Sequence, residues 1–357
     1  MDKTRNLCEI CSPKQWKTIS TDMLTDEGYP VYGANGIIGY YPEYNHEAST
    51  LLVTCRGATC GAMNICKPYS YVNGNAMALD NLADEVDIKY LYYYLLNRGF
   101  EDVITGSAQP QIVRQSLQKV NVVYPDREKQ SEIVSALEKV SELIALRKEQ
   151  LAKLDQLVKS RFIELFGHKG YPEDTLLNLC NIIDYRGKTP EKVEHGLPFI
   201  TAKNVRMHQM NLEPREYISK ETYDKVMVRG FPKEGDVVFT TEAPLGNVCR
   251  IPHFDTEFYI GQRIVTLQTE KLEPIYLEYA LSSDDFKTKY MEKSSGSTVT
   301  GIRVRLLEQL TIPVPPMELQ KQFATFVEQT DKSKLAIQQS LDKLELLKNS
   351  LMQEYFG

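Results

Sequence analysis

The stretch Val122–Gly167, VVYPDREKQSEIVSALEKVSELIALRKEQLAKLDQLVKSRFIELFG, returns as Ile312–Gly357, IPVPPMELQKQFATFVEQTDKSKLAIQQSLDKLELLKNSLMQEYFG, at a constant offset of 190 residues and without a gap. Pro125/Pro315, Glu128/Glu318, Gln130/Gln320, Glu138/Glu328, Leu151/Leu341, Lys153/Lys343, Leu154/Leu344, Leu157/Leu347, Ser160/Ser350 and Glu164/Glu354 coincide, and both copies close on Phe-Gly. Loops tolerate insertions, so register held this long marks a duplicated rigid element. The offset persists upstream through Gly106-Ser107 with Gly296-Ser297 and Ile112 with Ile302. Beyond that the match survives as shifted islands: Tyr90-Leu91 with Tyr276-Leu277, Gly74-Asn75 with Gly261-Gln262, and Gly61 with Gly246. The chain therefore reads as a head (1–125), a constant segment (126–167), a second head (168–315) and a second constant segment (316–357).

Each helix-forming stretch follows proline (Pro125; Pro315-Pro316) and ends at glycine, with neither residue in between, the punctuation of one long helix. Spacing by alternate threes and fours selects Ile133, Leu137, Val140, Ile144, Arg147, Leu151, Leu154, Val158, Arg161 and Leu165. The second copy answers with Phe323, Val327, Thr330, Lys334, Ile337, Leu341, Leu344, Lys348, Leu351 and Tyr355. Eight and seven of these ten positions carry apolar bodies, which makes a coiled-coil seam. A helix of roughly 38 residues would be about 57 Å long, more than one small domain can cover. The seams are expected to bury against each other. Antiparallel pairing needs no long return linker and puts the heads at opposite ends.

The heads read as small α+β domains. Short strands at Tyr29–Tyr32, Thr50–Val53 and Ala76–Leu79 precede a helix at Ile88–Leu96. The second head repeats the order with Pro198–Thr201, Asp236–Thr240, Arg263–Leu267 and Pro274–Leu281. The expected fold is thus α+β: two small mixed domains joined by two long antiparallel coiled-coil helices, in a pseudo-twofold internal repeat. At 357 residues there is length for two cores, and no apolar run approaches a membrane span, so a cytoplasmic protein is expected. Seven cysteines, an odd number irregularly spaced, argue for reduced buried thiols; Cys8-x-x-Cys11 has zinc spacing but lacks a second tight pair, and no metal is expected.

The net charge of −6 excludes a non-specific basic coat for nucleic acid, although a reader needs positive groups only where phosphate comes close. Three loop features offer such groups. The first is Tyr185-Arg186-Gly187-Lys188-Thr189-Pro190, where Arg186, Lys188 and Thr189 share a tight turn. The second is Thr201–Arg206 with Lys203, Asn204 and Arg206, answered by Tyr32-Gly33-Ala34-Asn35. The third is Ser107, Gln109, Gln111 and Arg114, answered by Ser297, Thr298, Arg303 and Arg305. Arg56 and Asn75, in loops of the first head, complete the set. Amides such as Gln109, Gln111 and Asn35 suit adenine edges, while lone cations suit phosphate. Solvated turns use the same residue types, so the loops count as a set.

With this order on the page, the chain resembles the specificity subunit of type I restriction-modification systems. The resemblance covers essentially the whole chain and lies in Tyr29–Gly36, Gly106–Ile112, Tyr185–Pro190 and the Pro, Glu and Gln that open each helix. Gly296–Ile302 departs from it by lacking the Gln-Pro core of Gly106–Ile112, which sets the two loops apart. The resemblance implies target recognition domains that each read half of a split, asymmetric site in double-stranded DNA. It implies helices that set the spacer and dock two adenine-N6 methyltransferase subunits, which a restriction/translocase subunit can join. S-adenosylmethionine, ATP and magnesium would belong to those partners, leaving this chain non-catalytic. In keeping with that, it has no GxxxxGK[ST] loop, and its five histidines are scattered. The alternatives are a coiled-coil adaptor that binds only proteins, and a self-contained nuclease or methyltransferase.

Overall fold

A computed structural model describes residues 2–106, 109–185, 190–296 and 300–357. Two helices of 40 residues each, Arg127–Phe166 and Met317–Phe356, form within the duplicated segments. Asp126 starts the first by accepting from the Lys129 amide at 2.9 Å, which occupies one of the orphan donors of the first turn. Both end alike: the Gly167 amide donates to the Ile163 carbonyl and the Gly357 amide to that of Gln353. Contacts divide the chain into two units, Met1–Glu149 with Gln338–Gly357, and Gln150–Ile337. Each unit holds one head and a length of both helices. Among the described residues no helix is long and apolar enough to cross a membrane.

In the first unit a four-stranded antiparallel sheet runs in the order Ser12–Gln15, Ala76–Asp80, Leu51–Thr54, Met63–Ile65. A second sheet places Tyr29–Gly33 between Gly36–Tyr41 and Tyr71–Val72, the latter parallel to it. Leu51 and Val53 on one face, and Leu79, Leu91 and Val122 around them, form a core that also takes Ile133, Val134 and Leu137 of the first long helix and Met352 of the second. The two helix lengths run antiparallel: Lys148 meets Glu345 at 2.8 Å, while Ile133 and Leu137 near the start of one share a core cluster with Met352 near the end of the other. The Lys148 pair is exposed and records register more than it adds stability.

The second unit repeats the plan. Asn181–Asp184, Ile264–Gln268, Val237–Thr240 and Val248–Arg250 form the four-stranded sheet in that order. Leu197–Ile200 lies between Tyr217–Ile218 and the parallel Tyr259–Ile260. Additions to this head are a hairpin, Val205–Arg206 with Gln209–Met210, and the helices Lys220–Val226 and Asp284–Lys293. Here Lys334 meets Asp155 at 2.6 Å, and Phe323 packs on Phe162 and Phe166 with ring centroids 5.4 and 5.6 Å apart, so the helices are again antiparallel. All ten seam positions on each helix are buried or half-buried, including every apolar one named from the spacing.

One duplicated polar residue, the glutamine at 130 and 320, has a visible task. Gln130 is buried and donates to the Glu85 and Pro125 carbonyls at 2.9 and 2.8 Å, while its Oε1 accepts from the Asp87 amide at 2.7 Å. Gln320 repeats this with the Pro315 carbonyl at 2.8 Å and the Glu273 amide at 2.9 Å. Each glutamine thereby ties the first turn of a long helix to the start of a head helix, Ile88–Arg98 or Pro274–Leu281. The other end of the opposite long helix closes the joint. Phe356 packs edge-on against Tyr90 at 5.5 Å, and Phe166 against Tyr276 at 4.8 Å. Head and rod are therefore joined through buried hydrogen bonds and rings, a stiff connection.

Hydrogen bonds also correct the alignment of the heads. Asn73 donates to the Tyr32 carbonyl as Gly261 does to that of Ile200. Gly74 and Asn75 therefore answer Gln262 and Arg263, one residue on from the match with Gly261-Gln262 made on glycine alone. The thiols are all unpaired, and burial pushes those of Cys11, Cys180 and Cys249 up to about 12.

Candidate nucleic-acid interface

At one edge of the first head, backbone hydrogen bonds gather four loops. The Thr54 hydroxyl donates to the Ala34 carbonyl, which sets the hairpin tip that carries Asn35. The Cys55 amide donates to the Asn75 carbonyl at 3.1 Å, and the Ile112 amide to the Cys55 carbonyl at 3.0 Å. Arg56 bridges Gln111, and the Gly57 amide donates to the Pro110 carbonyl at 3.1 Å. Asn35, Arg56, Asn75, Gln109 and Gln111 consequently share an edge, and all five are exposed. Rigid strand ends hold a cation and four amides outward, the donor and acceptor inventory that reads base edges. Arg114 is exposed on the short helix that follows, Arg114–Leu117.

The second head builds the same edge from different side chains. The Thr241 amide donates to the Arg263 carbonyl and the Ile302 amide to the Thr241 carbonyl, both at 2.9 Å. Glu242 bridges Gly301 where Arg56 bridges Gln111. Lys203 occupies the turn that answers Asn35, with Arg206 exposed on the adjoining hairpin. That hairpin is anchored from below. Asn247 donates to the Val205 carbonyl at 2.8 Å, and the His208 ring meets the buried Glu278 at 2.8 Å, which also accepts from Arg250 at 2.7 Å. Arg303 and Arg305 are exposed, the first capping and the second within the short helix Val304–Leu307.

Two residues chosen from sequence belong to the framework instead. Tyr32 is 6% exposed, and its hydroxyl accepts from the Lys67 amide at 3.2 Å. Asn204 is 1% exposed; it accepts from Thr201 and donates to the Asn211 and Pro214 carbonyls, so its amide is consumed inside the loop. Polar residue type suggested contact, and burial overrules it. Ser107, Arg186, Lys188, Thr189, Ser297 and Thr298 lie outside the described residues. Glu242 and Arg263 were missed, although the repeat points to them once Asn75 is matched to Arg263.

Comparison with known proteins gives this edge its context. The profile of the type I restriction modification DNA specificity domain matches twice, at residues 3–156 and 173–347, each time a head with most of its long helix. The chain belongs to this family. Among type I specificity subunits, it is 23% identical to the putative subunit S.HindORF215P of Haemophilus influenzae over 94% of this chain and 91% of that one. It is also 23% identical to the MjaVIII specificity subunit of Methanocaldococcus jannaschii, over 85% of this chain and 77% of that one. The type I restriction-modification S subunit from M. genitalium has the same fold, with a TM-score of 0.66 over 100% of this chain and 96% of that one at 17% identity. The family's two copies thus coincide with the two heads, and the adaptor reading gains nothing from these relatives.

Proposed function

We propose that this specificity-family chain reads a split DNA site, one half-site per head, and delivers partner enzymes to it without catalysing a reaction itself. The observation that carries the reading is the duplication: one head topology built twice on two shared helices, with matching backbones and different side chains at the reading edge. Matching backbones present loops to DNA in the same way, while Asn35, Arg56, Asn75 and Gln111 against Lys203, Glu242, Arg263 and Gly301 make the two half-sites different. The site is therefore bipartite and asymmetric, and the continuous helices set its spacer.

The same helices supply the docking sites. Leu151/Leu341 and Leu154/Leu344 are identical because the seam needs them. Leu157 and Leu347 are 50% and 45% exposed, and Ser160/Ser350 and Glu164/Glu354 are exposed with them, so helix pairing does not explain those identities. Leu157, Ser160, Arg161 and Glu164 line a shallow groove with Phe326. One exposed surface offered twice suits two copies of one partner, the methyltransferase subunit of such systems. A restriction/translocase subunit joins them in this reading, and S-adenosylmethionine, ATP and magnesium belong to these partners. The test is methylation mapping in cells that carry this chain with its methyltransferase. The expected result is a split motif with a modified adenine and a fixed spacer; modification at an undivided motif, or none, would overturn the reading.

A further inference from the structure

The reading edge of the second head carries an ion pair that the fold does not need. Glu242 follows the strand Val237–Thr240, and Arg263 immediately precedes its neighbour Ile264–Gln268. Their backbones are pinned: Thr241 bonds Arg263 on one side and Ile302 on the other, and Glu242 bridges Gly301. A Cβ at Gly301 would stand 3.1 Å from that of Glu242, so the glycine leaves room for the carboxylate. Arg263 has φ +75°, left-handed backbone in which glycine or asparagine is at ease and a long side chain is strained. Its Nε lies 2.9 Å from Glu242 Oε1, and both side chains are about half exposed. Such an exposed pair adds little to stability.

We infer that Glu242 and Arg263 together read one G·C base pair in the second half-site. A guanidinium donates to guanine O6 and N7, and a carboxylate accepts from the cytosine N4 amino group beside them in the major groove. The ion pair holds the guanidinium beside the carboxylate, which sets donors next to an acceptor, the complement of that pair. The first head carries Arg56 and Asn75 at the same two positions, again residues suited to base edges, with a different pattern. Positions that share backbone and differ in chemistry between heads are where two unlike half-sites are told apart. The inference rests on the reading of a split site above.

The test uses the full chain assembled with its methyltransferase subunits and a pool of DNA duplexes randomised across the mapped site. Arg263→Gly suits the backbone conformation, so the expected melting temperature is unchanged or raised. At one position of the second half-site, preference for G·C is expected to fall roughly tenfold to a hundredfold, with the first half-site and the spacer unchanged. Glu242→Gln keeps one acceptor oxygen and should relax the same position less. An unaltered motif in Arg263→Gly, or weakening spread evenly over all sequences as for a phosphate contact, overturns the inference while leaving the split-site reading in place. A wild-type chain with no split motif removes that reading itself.

Discussion

Inserting one heptad into each long helix, after Glu149 and after Ile337, lengthens the spacer of the recognised DNA site by about three base pairs and leaves both half-sites as they were. Seven residues at 1.5 Å each add about 10 Å of helix, and one base pair takes about 3.4 Å of duplex. A heptad preserves the seam because apolar positions recur every 3.5 residues on average, so Ile144 and Leu151 on one helix keep facing the same stripe of the other. The glutamine and phenylalanine joints lie far along the chain from the insertions and are untouched. Three base pairs also rotate the duplex by roughly 100°, given about 10.5 base pairs per turn, so weaker binding is expected along with the longer spacer. Methylation mapping of the lengthened chain reads both effects. An unchanged spacer would show that the helices do not measure the site, and altered half-sites would show that they do more than measure it.

Phe166→Ala destabilises the protein by about 3–5 kcal/mol, the usual cost of emptying an aromatic site in a core. Phe166 is 4% exposed and sits among Phe162, Tyr276 and Phe323, with centroids 5.1, 4.8 and 5.6 Å away. It joins the end of one helix, the start of the other and the head in a single cluster, so no neighbour can collapse into the space without moving a rod. The repeat provides a control. Phe356 meets Tyr90 and Tyr94 at 5.5 and 5.9 Å but is only partly buried, and Phe356→Ala should cost distinctly less. Denaturant unfolding of both variants checks the ranking. Equal losses, or a loss near zero for Phe166→Ala, would mean that the aromatic joint does not hold the second head to its rods.

How far this architecture could be read in advance depended on whether a signal was periodic. The seam was legible residue by residue, because burial every three or four positions leaves a mark that needs no knowledge of the rest of the fold. The strands around Val31, Leu52, Ala78, Ile200, Val238 and Val265 were legible by another local mark, each a short apolar run bounded by turn residues. The edge proposed to read DNA was not. Tyr32 and Asn204 look like surface readers by type, yet long-range packing and a closed loop use up their polar atoms. Arg263 was hidden by a slip of one residue. Glycine at 74 and at 261 invites a match, whereas pairing of Val72 with Tyr32 and of Ile260 with Ile200 sets the true one. Sheet register is a tertiary fact, and a shift of one reverses which side chains face outward. The glutamines at 130 and 320 were visible as duplicates, but their clamping of head to rod required the Asp87 and Glu273 amides to be seen beside them.

The measurement closest to the central claim is a protection footprint of the chain, assembled with the methyltransferase subunits proposed as its partners, on a duplex that carries the mapped motif. Two heads reading two half-sites predict two separate blocks of major-groove base protection, with spacer bases between them open to groove-directed chemical modification. Arg56→Ala together with Asn75→Ala should erase only one block. A single uninterrupted block, or loss of both blocks from changes in one head, would contradict the division of reading between the heads.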